Sequence, residues 1–110
     1  IDELLGPGVT REIVHGDIAL ETEWDGALVD AMKNALTDED PQGKPVPYCL
    51  FGGTDDKSFS LLGITGYGFS PLRLAPNLDF AGMFHGVDER VNIDALTFGV
   101  RVLDRFLANS

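Results

Sequence analysis

One cysteine, one tryptophan, two tyrosines and only eight Lys and Arg stand in this 110-residue sequence. Each shortage excludes something. A single Cys49 permits neither an internal disulfide nor a cysteine-rich zinc site. Set between Tyr48 and Leu50, it is expected to be a buried, reduced thiol, as in a cytoplasmic protein. Eighteen acids against eight bases leave a net charge of −10. Nucleic-acid binding requires clusters of Lys and Arg, and none occurs, so no nucleic acid is expected as a partner. An anionic membrane surface is disfavoured for the same reason. No apolar run approaches the ~20 residues of a membrane-spanning helix. The glycines make no Rossmann fingerprint or P-loop, and no serine stands in a Gly-x-Ser-x-Gly elbow.

What remains is an ordinary globular composition, 44% apolar and 24% charged. Its length suits one small domain with a modest core. Ile1 to Leu5 reads as the tail of a helix, so the start is expected to be cut from a longer polypeptide. Ser110 reads as a natural or near-natural end. Gly6-Pro7-Gly8 breaks the chain. Val9 to Glu21 alternates enough to predict one strand, or two broken at Gly16. Asp25 is expected to cap a helix, with Trp24 stapled on Val29 and Leu28, Ala31, Met32, Ala35 and Leu36 at helical spacing. Acids at 38–40 and Pro41 predict its end near Thr37.

Val46 to Phe51 predicts a buried strand, Thr54 to Leu62 a short helix and Gly63 to Phe69 a second strand. Strand, helix, strand predicts a βαβ unit with parallel strands and an α/β fold. Ser70 to Gly82 has Pro71 and Pro76 and no periodicity, so it reads as a long loop. Asn92 is expected to cap a last helix. Ile93, Leu96, Val100, Leu103 and Leu107 form its apolar stripe, widened by Phe98, Val102 and Phe106. A stripe so wide predicts packing on a sheet.

Two segments carry candidate chemistry. Gly52-Gly53-Thr54-Asp55 stands between a strand and a helix start, where free backbone N–H groups favour an anion. Phe84-His85-Gly86-Val87-Asp88-Glu89-Arg90-Val91 sets a histidine in a shaped loop beside two acids, a pattern suited to metal ligation. The order of Pro45-Val46-Pro47-Tyr48, Gly52-Gly53-Thr54-Asp55, Gly63-Ile64-Thr65-Gly66-Tyr67-Gly68-Phe69 and the His85 segment resembles the C-terminal part of the catalytic domain of M20-type zinc metallopeptidases. That group includes acetylornithine deacetylases, succinyl-diaminopimelate desuccinylases and carboxypeptidases.

The resemblance implies a fragment of a metallopeptidase catalytic domain. Residues 1–22 would end a lid or dimerisation domain, contributing an N-terminal strand, and residues 23–110 would belong to the catalytic domain. It implies His85 as a metal ligand, Glu89 as its support, and Gly53 and Thr54 at the substrate carboxylate. It implies a two-metal site, of zinc with cobalt or manganese as alternatives, that hydrolyses amide bonds of peptides or N-acyl amino acids. The His-x-Asp, bridging Asp and Glu-Glu pair of that site have no counterpart here; His15-Gly16-Asp17 matches the first in letters but stands at the lid end. The chain alone is therefore expected to be inactive, needing the N-terminal catalytic segment of the same polypeptide, with a homodimer an open option. The alternative is a small α/β binding or interaction domain without catalysis. His15 and Arg73 are weaker candidates, best read as structural or ion-paired.

Overall fold

The computed structural model describes residues 1–110 and contains helices joined by irregular segments. In chain order they are α1 (Asp2–Leu5), α2 (Ala27–Glu39), α3 (Asp56–Ser60), a 3₁₀ turn (Ala81–Met83) and α4 (Ile93–Asn109). There is no strand and no sheet, which overturns the α/β fold with parallel strands. The physical reason is the absence of ladder partners. Residues 10–25 and 44–53 exchange no backbone hydrogen bond with any other backbone group. A strand is stabilised by paired backbone groups and cross-strand side chains, and apolar character alone does not supply either. The segment expected to be a buried strand is exposed at Val46, Tyr48 and Phe51, and Cys49 is exposed with it.

The core is the contact between α2 and α4. Val29, Met32 and Ala35 recur at three-residue spacing on α2 and are buried, as are Ala95, Phe98 and Val102 of α4, with Ala35, Phe98 and Val102 packed as one cluster. Small residues at positions 35, 95 and 99 let the helices and the neighbouring chain approach closely. Pro71 seats its carbonyl on Gly99, where a Cβ would lie 2.7 Å from that oxygen. Phe69 packs edge-on against Phe106 at 5.4 Å between ring centroids and closes one end of the core.

Helix limits follow local chemistry. Asn92 caps α4 as expected, its side chain accepting the Asp94 N–H at 2.7 Å. Asp25 does not cap α2: its carboxylate takes the Gly26 N–H, and Gly26 occupies the cap position at φ 97°. Trp24 lies instead beneath the Lys33 ammonium, 5.0 Å from the ring centroid. Helix α2 runs two residues beyond Thr37, to Glu39, and stops at Asp40, the residue before Pro41. Acids at a helix C-terminus are unfavourable, and here they are compensated from outside. Glu39 accepts from Arg101 at 2.8 Å and from Arg105 at 2.6 Å, two residues one turn apart on α4. Helix α3 is shorter than the stretch 54–62. It ends in a Schellman motif with Gly63 at φ 74°, Gly63 N–H donating to Ser60 O and Ile64 N–H to Phe59 O.

Only eight residues are buried, and the radius of gyration is 18.3 Å. A compact domain of this length has a radius of about 13 Å. The helix pair is thus the ordered centre of an extended chain.

Two outcomes follow from this core. Phe98→Ala removes its largest buried side chain and is expected to cost about 3–5 kcal/mol, enough to unfold the helix pair, as read by far-ultraviolet circular dichroism in urea. The hydrogen bond from Arg101, then that from Arg105, holds the Glu39 carboxyl below its ordinary value of 4.5. A depressed carboxyl stabilises the fold above pH 4.5, and this contribution is lost as pH falls through the lower folded-state value. The raised Arg105 adds no acid-range dependence. Acid titration of thermal stability is expected to show this loss, and Glu39→Gln to lower the melting temperature at neutral pH while flattening the acid limb.

Candidate functional site

His85 stands in a β-turn whose geometry is unusual for its residue type. The 3₁₀ turn Ala81–Met83 delivers the chain to Phe84, at φ −58° and ψ 126°. His85 follows at φ 60°, the only non-glycine residue with positive φ. The Gly86 N–H donates to Met83 O at 2.9 Å and closes the turn. These values describe a type II turn, in which the third residue needs positive φ and is normally glycine or asparagine. Histidine is tolerated there, but the backbone alone prefers glycine. Gly86 is adjacent and does not take the position. Strained backbone of this kind concentrates at functional sites, because the side chain is placed at the backbone's expense.

The surroundings fix the turn and leave the imidazole free. Phe80 and Phe84 pack edge-on at 5.1 Å. The Glu89 carboxylate folds back to accept the His85 N–H at 3.1 Å, and the Glu89 N–H donates to Gly86 O at 3.4 Å. Arg90 donates through Nη1 to Asp88 O at 2.8 Å. Of the acids beside His85, Glu89 therefore holds the loop with its carboxylate, whereas Asp88 contributes only its backbone carbonyl. No group of three or more His, Cys, Asp and Glu in the chain is arranged to hold a metal ion. The donor chemistry fits one imidazole ligand in the open, and a zinc site takes three or four protein ligands.

Gly53 and Thr54 lie exposed just before α3, with Thr54 O accepting the Lys57 N–H at 3.3 Å. Asp56 does not crowd the glycines: its carboxylate rests against Gly66, where any Cβ would collide with it. Asp55 occupies the cap position without a side-chain cap bond. No hydrogen bond or ion pair joins this turn to the His85 loop.

His15 has a partner set that its sequence position does not reveal. Its Nε2 lies 3.1 Å from Asp17 Oδ2, and Lys57 Nζ lies 3.7 Å from the same oxygen. The hydrogen bond with His15, followed by the neighbouring positive charges, lowers the Asp17 carboxyl from its ordinary value. Thr22 donates to Gly66 O at 3.2 Å and Tyr67 to Glu23 O at 3.3 Å, so residues 15–23 are tied along 57–67. Arg73 reaches Asp40 at 3.8 Å, the ion pair expected of it. The Glu39–Arg101–Arg105 cluster was not among the candidates. Its sequence signal is two arginines four apart on the last helix and an acid misplaced at a helix end.

The sequence pattern of peptidase family M20/M25/M40 matches residues 8–109. No curated protein and no solved structure matches the chain. No helix is long and apolar enough to cross a membrane. The chain belongs to peptidase family M20/M25/M40.

The turn geometry has a measurable consequence. His85→Gly is expected to leave the melting temperature unchanged or raise it, relieving about 1 kcal/mol of left-handed strain. His85→Val is expected to lower it, because a β-branched residue tolerates positive φ least.

Proposed function

Proceeding from membership of the M20/M25/M40 peptidases, we infer that this chain is one part of a metal-dependent amidohydrolase. It supplies His85 as a single imidazole ligand and Gly53-Thr54 as the seat of a substrate carboxylate. The observation that carries this is His85 itself, a free imidazole in a turn position that favours glycine. Zinc is the metal best suited to imidazole and carboxylate donors, with cobalt and manganese as alternatives. When bound, such a metal polarises the scissile carbonyl and acidifies a water for attack.

The residues of this chain have narrower roles. His85 presents one nitrogen toward the metal position. Glu89, bonded to the His85 N–H, holds the turn and so the direction of the ring. The backbone N–H groups of Gly53 and Thr54, with the Thr54 hydroxyl, donate to the carboxylate of a peptide or N-acyl amino acid. The remaining ligands and the general base come from other residues of the full polypeptide, because one histidine cannot hold a catalytic metal. On this basis residues 1–22 close a lid domain and residues 23–110 belong to the catalytic domain of a cytoplasmic enzyme.

The test uses both the 110-residue chain and the longest protein whose reading frame contains it. Release of amino acid from N-acyl amino acids and dipeptides is expected from the longer protein with zinc, and none from the chain alone. His85→Ala in the longer protein is expected to lower kcat/KM by roughly a hundredfold or more and to weaken zinc retention, whereas Glu89→Gln costs less. Hydrolysis by the 110 residues alone, or full activity in the His85→Ala protein, defeats the assignment.

A further inference from the structure

Gly66 does not owe its identity to its backbone. Positive φ occurs only at Gly6, Gly26, Gly63 and His85, so residue 66 has angles open to L-residues. What position 66 lacks is room for a side chain. A Cβ there would fall on the Asp56 carboxylate, and the three atoms nearest to it are the carboxyl carbon and both oxygens. A Cβ on Gly53, in contrast, would meet nothing. Asp56 is accordingly half-buried, whereas its neighbour Asp55 is exposed. The glycine forms a slot into which one particular acid is set.

Both sides of the slot are held. Gly66 O accepts the Thr22 hydroxyl at 3.2 Å, and the Tyr67 hydroxyl donates to Glu23 O at 3.3 Å. Asp56 opens α3, whose first turn is closed by the Ser58 and Phe59 N–H groups on Asp55 O at 2.9 and 3.1 Å. The charge at stake stands beside the Gly53-Thr54 turn, which Asp55 and Asp56 directly follow. Negative charge next to a carboxylate-binding turn opposes binding, and the repulsion falls with distance. Lys57 is the only Lys or Arg between Lys44 and Arg73, and its ammonium lies 3.7 Å from the Asp17 carboxylate, which His15 shares. The nearest cation in sequence is thus engaged elsewhere. Placement, rather than pairing, governs the charge of Asp56.

We propose that Gly66 is a positioning residue, its missing side chain holding the Asp56 carboxylate aside so that the Gly53-Thr54 turn receives a substrate carboxylate without that repulsion. The inference rests on the carboxylate seat proposed above and adds to it the residue that keeps it free of charge. Gly66→Ala fills the slot. The group it displaces is the end of a flexible side chain, so Asp56 rotates to another rotamer and the backbone stays. Side chains of a helix lean toward its N-terminal end, so the displaced carboxylate swings toward Thr54. Asp55 keeps its charge in every variant and cancels from the comparison.

Amide chemical shifts of the 110-residue chain, followed by NMR through the carboxyl titration range, test the slot without metal or substrate. The shift changes owed to Asp56 are those lost in Asp56→Asn. They are expected at Gly66 in the parent and at Gly53 and Thr54 in Gly66→Ala, with the circular dichroism of the two chains alike. A response of Gly53 and Thr54 to Asp56 already in the parent, or none in Gly66→Ala, overturns the proposal. In the longer protein, Gly66→Ala is expected to raise KM for an N-acyl amino acid roughly two- to tenfold, with a smaller change in kcat and a smaller effect at high salt. The C-terminal amide of the same substrate, which lacks the anion, is expected to show no such rise. Adding Asp56→Asn to Gly66→Ala is expected to restore KM, since Asn keeps the shape of Asp and loses its charge. A KM that stays raised in the double variant marks a steric effect and overturns the proposal. Amide shifts that move as expected while KM stays at the parent value overturn the role in binding together with the Gly53-Thr54 seat, whereas His85→Ala reports separately on the metal ligand.

Discussion

Everything ordered in this chain depends on α2 lying against α4. Val29 and Val102 are fully buried there, and Phe98 fills the space between the helices. Nothing else in the molecule excludes water to that extent. The ion pairs from Arg101 and Arg105 to Glu39 work on the same contact from its edge. They tie the end of α2 to the middle of α4 and offset the unfavourable charge at the α2 C-terminus. Apolar burial sets the adhesion of the two helices, and the arginine pair sets their register.

Other features hang from this centre in order of distance. Pro71 on Gly99 fixes where the long loop leaves the core. Asn92 fixes where α4 begins, and so where the His85 loop must deliver the chain. That loop is stabilised locally, by its turn, by the Phe80–Phe84 contact and by Glu89. Local stabilisation holds the backbone of the turn and leaves the imidazole exposed. The Gly53-Thr54 turn is tied to the N-terminal segment through Lys57 and Asp17. The two candidate functional segments therefore belong to separate, independently braced parts of the chain.

Such an arrangement suits a polypeptide that contributes groups to a site completed elsewhere. The match of residues 8–109 to peptidase family M20/M25/M40 gives the two segments a peptidase context. Under the proposed function, His85 and the Gly53-Thr54 turn each need groups from outside this chain to act together.

Much of the helical layout was legible in the sequence. The α2 and α4 periods, the Asn92 cap and the break after Leu5 depend on neighbours within a turn or two, and such interactions are written locally. The family was legible too, because short motifs in order identify it without a fold. His85 could be singled out by its loop, but not its positive φ, which depends on the Phe84 and Gly86 geometry around it. The strands at 9–21, 46–51 and 63–69 were not decidable locally. An apolar alternating segment becomes a strand only when a partner accepts its backbone hydrogen bonds, and these segments exchange no backbone hydrogen bond with one another, even where 15–23 runs along 57–67 through side chains. In the same way the sequence showed α4 to be apolar on a wide arc, while tertiary packing divided that arc into a face buried on α2 and a face left exposed. The long-range Glu39 pairs and the Asp17–Lys57 contact also belong to tertiary structure, since they join residues that only folding brings within reach.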